Sequence, residues 1–93
     1  VTKQSTEAAR VRVARLPQSA DSWECYQMHP GEDQWSWFDR WLDREKAILA
    51  VRDNVEYDDD FRGLVTRYPG DPEAMYFDRD HPEGVPVEWE DAR

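Results

Sequence analysis

Carboxylates are the residues with which this sequence could do chemistry, and they fall into three groups. Asp58-Asp59-Asp60 is the densest. Neighbouring side chains diverge, so three in a row converge on one ion only where the backbone turns sharply, and the spacing fails the calcium-binding helix-loop-helix pattern. Helix capping and solvation are the expected use. Asp78-Arg79-Asp80-His81 would place Asp78 and Asp80 on one side of an extended stretch and reads as a salt-bridged loop. Asp39 and Asp43 stand one helical turn apart, close in sequence to Arg40 and Arg44. Acid–base work by such a pair needs an enclosed site that drives the two pKa values apart, and nothing in the sequence supplies one. Recognition of Lys or Arg on another protein is the alternative use.

Cys25, His29 and His81 are the soft ligands. Zinc needs four groups converging tetrahedrally, and neither a short Cys pair nor His-Glu-x-x-His occurs. A cysteine nucleophile would lack a third residue to orient its imidazole, so Cys25 is expected in the core. Gly31, Gly63, Gly70 and Gly84 are scattered and form no phosphate-cradling run. No cofactor and no metal is therefore expected, and the chain reads as lacking a catalytic centre of its own. The competing possibility is a small enzyme whose metal or acid–base site is assembled in space from Asp39, Asp43, Asp58 and His81.

The elements that would position these groups must fit into 93 residues, which is one small domain, 1–93. A chain of this size buries only about two-thirds of its unfolded surface, so its stability is thin or shared with a partner. Five Trp, four Tyr and three Phe argue against disorder throughout. Arg10 to Val13 alternates charged and apolar residues as a half-buried strand does, and Pro17 ends that element. Trp23 to His29 is a second strand, with Trp23, Cys25 and Gln27 on one face and Glu24, Tyr26 and Met28 on the other; both faces carry large groups, so neither is simply wet.

From Gln34 to Asn54 a long amphipathic helix is expected, placing Trp35, Phe38, Leu42 and Leu49 in one stripe and Trp37, Trp41 and Ile48 in the next, with Asp33 at its start. Phe61, Leu64, Val65 and Tyr68 follow helical spacing and predict a shorter helix capped by Asp58 or Asp59, whose Gly63 weakens it or admits a close neighbour. Val85-Pro86-Val87-Glu88-Trp89 is extended, but its proline allows an edge strand at most. The fold class expected is α+β: an N-terminal two-stranded element, one long and one short amphipathic helix, and an irregular aromatic C-terminal tail. Residues 1–9 and 78–93 are candidate extended arms that contact a partner.

Charge narrows the partner. The formal net charge is −9, although Lys3, Arg10, Arg12 and Arg15 face only Glu7 in the first sixteen residues. Such an excess disfavours direct contact with nucleic acid or an anionic bilayer and suits a basic protein surface. No run of 18 apolar residues exists, so no membrane insertion is expected, and the start of the sequence lacks the apolar stretch of a signal peptide. A lone cysteine excludes an intrachain disulfide and suits a reducing cytoplasm, or an assembly formed there. The function expected is that of a non-catalytic accessory or structural subunit, bound to a larger enzyme or virion assembly through tryptophan-rich surfaces. Trp37, Trp41 and Trp89 are its anchors, with Asp39, Asp43, Asp58 and Asp59 as polar contacts. An acidic inhibitor or immunity protein blocking a basic nuclease or nucleic-acid-binding site is the principal alternative.

Overall fold

The computed structural model describes residues 9–12 through their backbone and residues 21–90 in full. Among the described residues six strands and one helix follow in the order β1 (Ala9–Arg12), β2 (Trp23–Met28), β3 (Ser36–Trp41), α1 (Arg44–Tyr57), β4 (Arg62–Thr66), β5 (Met75–Asp78) and β6 (His81–Glu90). The strands form one sheet in the order β1-β6-β5-β4-β2-β3, in which only the β1–β6 pair is parallel. The α+β class stands, but the expected arrangement within it does not.

The long helix expected over 34–54 is two elements. Aromatic Trp37, Phe38 and Trp41 extend against β2 as a strand, where large flat side chains pack on a pleated surface. Asp43, with extended backbone angles, accepts a hydrogen bond from Glu45 N at 3.2 Å and starts α1 ten residues beyond the expected cap. The helix then runs through strong helix formers (Glu45, Lys46, Ala47, Leu49, Ala50), and Asp58 caps its end with N–H bonded to Asn54 O. Asp58 thus closes one helix instead of opening another.

The shorter helix does not exist, because its segment is β4. Helical and strand spacing both fit Phe61, Leu64 and Val65, and the structure resolves them by placing Leu64 on one face of the sheet and Val65 on the other. Gly63 decides the packing: a Cβ there would collide with Val51 Cγ1 on α1 and lie 2.7 Å from the Phe61 ring. Its missing side chain lets the helix sit directly on the strand.

The C-terminal segment is likewise regular. β5 and β6 form a hairpin, so no irregular aromatic tail is present among the described residues; residues 78–90 lie in that hairpin, and residues 91–93 lie outside the described residues. Pro86 is tolerated because, among the described residues, β1 pairs with β6 from Val87 to Glu90, which leaves Pro86 with a single neighbouring strand. The expected N-terminal pair is also corrected: β1 and β2 do not pair with each other, since β1 lies against β6 and β2 between β3 and β4. Residues 1–8 of the expected N-terminal arm lie outside the described residues.

One face of the sheet carries α1. Ala47, Val51 and Val55, spaced by four, pack on Trp23, Cys25, Phe61, Val65 and Phe77, with Phe38, Trp41, Ile48 and Met75 at the margin. Each fully buried apolar side chain of this size contributes roughly 1.5–3 kcal/mol, so this layer carries most of the hydrophobic stabilisation. The other face holds a smaller cluster of Tyr26 and Leu64, packed by Trp35, Val87 and Trp89.

Candidate functional site

The helix-free face concentrates polar and aromatic chemistry. Strand alternation turns Glu24, Tyr26 and Met28 towards it, as the sequence indicates, and register brings Leu64 opposite Tyr26 and Thr66 opposite Glu24. β3 contributes through a bulge. Glu24 pairs with Arg40, Cys25 with Asp39 and Tyr26 with Trp37, so Phe38 is an extra residue on β3. In a regular strand Trp37 and Arg40, three apart, would point to opposite faces. With the bulge, both join Glu24, while Phe38 and Trp41 serve the core under α1.

Glu24 is the centre of this group and only 2% exposed. Its Oε1 accepts from Trp37 Nε1 at 2.8 Å and Arg40 Nε at 3.1 Å; its Oε2 accepts from Arg40 Nε at 3.0 Å and Ser22 Oγ at 2.9 Å. A buried carboxylate is stable only when neutralised and hydrogen-bonded, and this one is both. Its partners reach outwards. Arg40 is 61% exposed as a side chain and Trp37 51% exposed as a residue, with the guanidinium carbon 5.7 Å from the indole centroid. Among the described residues neither Nη1 nor Nη2 of Arg40 has a hydrogen-bond partner.

Beside this group lies Tyr26, 1% exposed, whose buried hydroxyl has no hydrogen-bond partner among the described residues. Burial and, after it, the charge of Glu24 push its hydroxyl up to about 12. Further along the same face Tyr76 donates to Asp78 Oδ2 at 2.8 Å and meets Trp35 edge-on, with ring centroids 6.1 Å apart. Burial, then the bond to Asp78, also pushes Tyr76 up to about 12. Burial alone would raise Asp78, but the Tyr76 hydroxyl and His81, whose Nδ1 lies 2.9 Å from Oδ1, hold it below the usual carboxylate range.

The residues singled out by sequence are dispersed. Trp37 and Trp41, expected in one stripe, lie on opposite faces, with Trp41 Nε1 donating to Asp39 Oδ2 at 2.9 Å. Asp39 also accepts from Arg40 N at 2.8 Å through Oδ1. Asp43 and Asp58 cap opposite ends of α1, a helix of 14 residues, and are therefore about 20 Å apart. Asp59 is exposed and lies 3.7 Å from Arg79. Trp89 is half-buried and donates through Nε1 to Asp71 O at 2.8 Å. The carboxylates proposed for a composite site are thus not brought together, and His81 is held by Asp78. Asp59, Asp60, Asp78 and Asp80 do share the wall of an open cavity of about 610 Å3 with Arg62 and Arg79.

Glu24, Arg40 and Tyr26 are the functional candidates that sequence reasoning missed. The one signal was that Trp23–His29 carries large groups on both faces, which marks the second face as occupied. Cys25 lies in the core as expected, 0% exposed, with its thiol pushed up to about 12 by burial and then by Asp39 and Glu24. Among the described residues no group of three or more His, Cys, Asp or Glu could hold a metal ion, and no helix is long and apolar enough to cross a membrane. Comparison with models of known families, with curated proteins and with solved structures gave no match to the chain.

Proposed function

We propose that this chain is a non-catalytic protein-binding subunit that docks on a larger assembly, such as an enzyme or a virion particle formed in the cytoplasm, with Trp37 as its central anchor. One observation carries this reading: Trp37 is 51% exposed yet fixed, because its indole N–H is bound to the buried Glu24 carboxylate at 2.8 Å. A large side chain already held in one orientation loses little conformational freedom on association, and Trp and Arg are the residues that dominate binding energy at protein interfaces. Arg40 beside it supplies the second such group. Trp41 and Trp89 support the reading less, because both are engaged inside the fold.

The net charge of −9 supports a protein partner over nucleic acid, whose phosphates it repels. The inhibitor reading draws less support. Asp39, Asp43 and Asp58 each accept a local backbone N–H, and of the four expected contacts only Asp59 pairs with a cation among the described residues.

The test compares wild type with Trp37→Ala in an extract of the source cells, by size-exclusion chromatography and sedimentation. Wild type should migrate in a larger species and the variant as free chain, with thermal unfolding of the variant within a few degrees of wild type. Wild type migrating as free monomer in the extract would overturn the proposal.

A further inference from the structure

We infer that Arg40 and Trp37 form a receptor for a single carboxylate, that of an Asp or Glu flanked by an apolar residue on the partner protein. The inference rests on the protein-binding reading and specifies what is bound. Arg40 is tethered through Nε alone, at 3.1 and 3.0 Å from the two oxygens of Glu24, and among the described residues both its Nη groups lack partners. These two amino groups form the fork that matches a carboxylate with two parallel hydrogen bonds. The fork is set in advance, because Glu24 is 2% exposed and is itself held by Ser22 and Trp37. The exposed indole beside it provides apolar area for the residue next to the bound acid.

Charge favours one carboxylate over a polyanion. Arg62, the other arginine on this face among the described residues, stands opposite Met28, four residues along β2 from Glu24, or about 13 Å, and donates to Met28 Sδ. A phosphate backbone would bring repeated charges to a chain of net −9, and Arg40 is the one arginine on this face, among the described residues, with both Nη groups open to receive them. Recognition also runs through side chains, not through added β-structure. β3 is a sheet edge, but the Arg40 N–H that an incoming strand would use is held by Asp39 Oδ1 at 2.8 Å.

The test uses the full chain against an immobilised array of random decapeptides, with affinities of retained sequences measured in solution by fluorescence polarisation of dye-labelled copies. Retained peptides should share Asp or Glu next to Leu, Met, Phe or Trp. Changing that acid to its amide should weaken binding at least tenfold. Arg40→Gln should abolish retention, and Arg40→Lys, which keeps a positive charge for Glu24 but lacks the fork, should weaken it about tenfold while unfolding within a few degrees of wild type. Arg52→Gln, remote on α1, should leave it unchanged.

Retained peptides that share Lys or Arg, or that bind both Arg40 variants as well as wild type, would overturn the carboxylate receptor. An array that retains nothing would overturn it as well. In each of these cases the extract experiment decides the protein-binding reading separately: a large species that disappears in Trp37→Ala keeps it, and free monomeric wild type ends it.

Discussion

The Arg40 guanidinium meets Glu24 with one nitrogen placed between both carboxylate oxygens, at 3.1 and 3.0 Å, so that a buried anion and an exposed cation make a single rigid unit across β2 and β3. Removing the anion should uncouple that unit. Glu24→Ala leaves the Trp37 indole and Ser22 hydroxyl without their acceptor, and we expect a loss of about 2 kcal/mol, reduced from the cost of a fully buried pair because Arg40 can turn to water. Urea unfolding followed by far-ultraviolet circular dichroism checks this. A midpoint equal to wild type would mean that Glu24 does not hold the pair.

Tyr26 presents the opposite case, a buried hydroxyl with no partner among the described residues. Tyr26→Phe removes the unsatisfied group and keeps the ring, so the variant should match wild type or exceed it by about 1 kcal/mol. Tyr26→Ala should lose about 3 kcal/mol or more through the cavity it opens. A clear destabilisation by Tyr26→Phe in thermal unfolding would show that the hydroxyl has a partner in solution.

Gly63→Ala should destabilise by roughly 1–3 kcal/mol, since the added methyl meets Val51 Cγ1 and the Phe61 ring. The two sites are coupled. Adding Val51→Ala should cost less in the Gly63→Ala background than in wild type, and a double-mutant cycle measures the difference. Simple additivity would place the strain elsewhere.

The pH dependence should centre on Asp71, which is 0% exposed. Burial would raise it, but the Arg67 guanidinium at 2.9 Å and the backbone N–H groups of Glu73 and Arg67 outweigh burial and hold it below the usual carboxylate range. A depressed folded-state pKa stabilises above the unfolded value of about 3.9 and is lost as pH falls through the folded value. Asp71→Asn should therefore be about 2 kcal/mol less stable than wild type at pH 7, with the gap closing below about pH 4. A gap of constant size from pH 7 to pH 2 would exclude the charge as its source.

Cys25 should be unreactive in the native state. Its thiol is buried, pushed up to about 12, and lies 3.8 Å from Ala47 O, so little thiolate exists at pH 8. Labelling by a disulfide reagent should be slow in buffer and fast in urea, rising with the unfolded fraction. Rapid labelling of folded protein would contradict the packing.

What was legible in the sequence follows from which signals are local. β2 was readable to its faces, because once Trp23–Met28 is extended its side chains must alternate between the two sides of the sheet. The segment 34–54 was not, since Trp37, Phe38 and Trp41 fit a helical wheel as well as a bulged strand. The bulge itself depends on pairing with Cys25 and Tyr26 across the sheet. Phe61–Thr66 misled for a related reason. Its apolar residues satisfy both periods, and the choice was made by α1 descending onto Gly63, a tertiary contact. The binding candidates followed the elements: Asp39 and Asp43 fall on one face only in a helix, and Arg40 joins Glu24 only through the strand register.

The parallel pairing of β1 with β6 has a kinetic consequence. Ala9 has no ladder partner until Val87 arrives, so during synthesis β1 waits while β2 to β5 can already pair with one another. Its docking should be the last step of assembly, and the β1–β6 ladder should be the first to open locally. Amide hydrogens on that ladder should accordingly exchange ahead of those on β2 and β4.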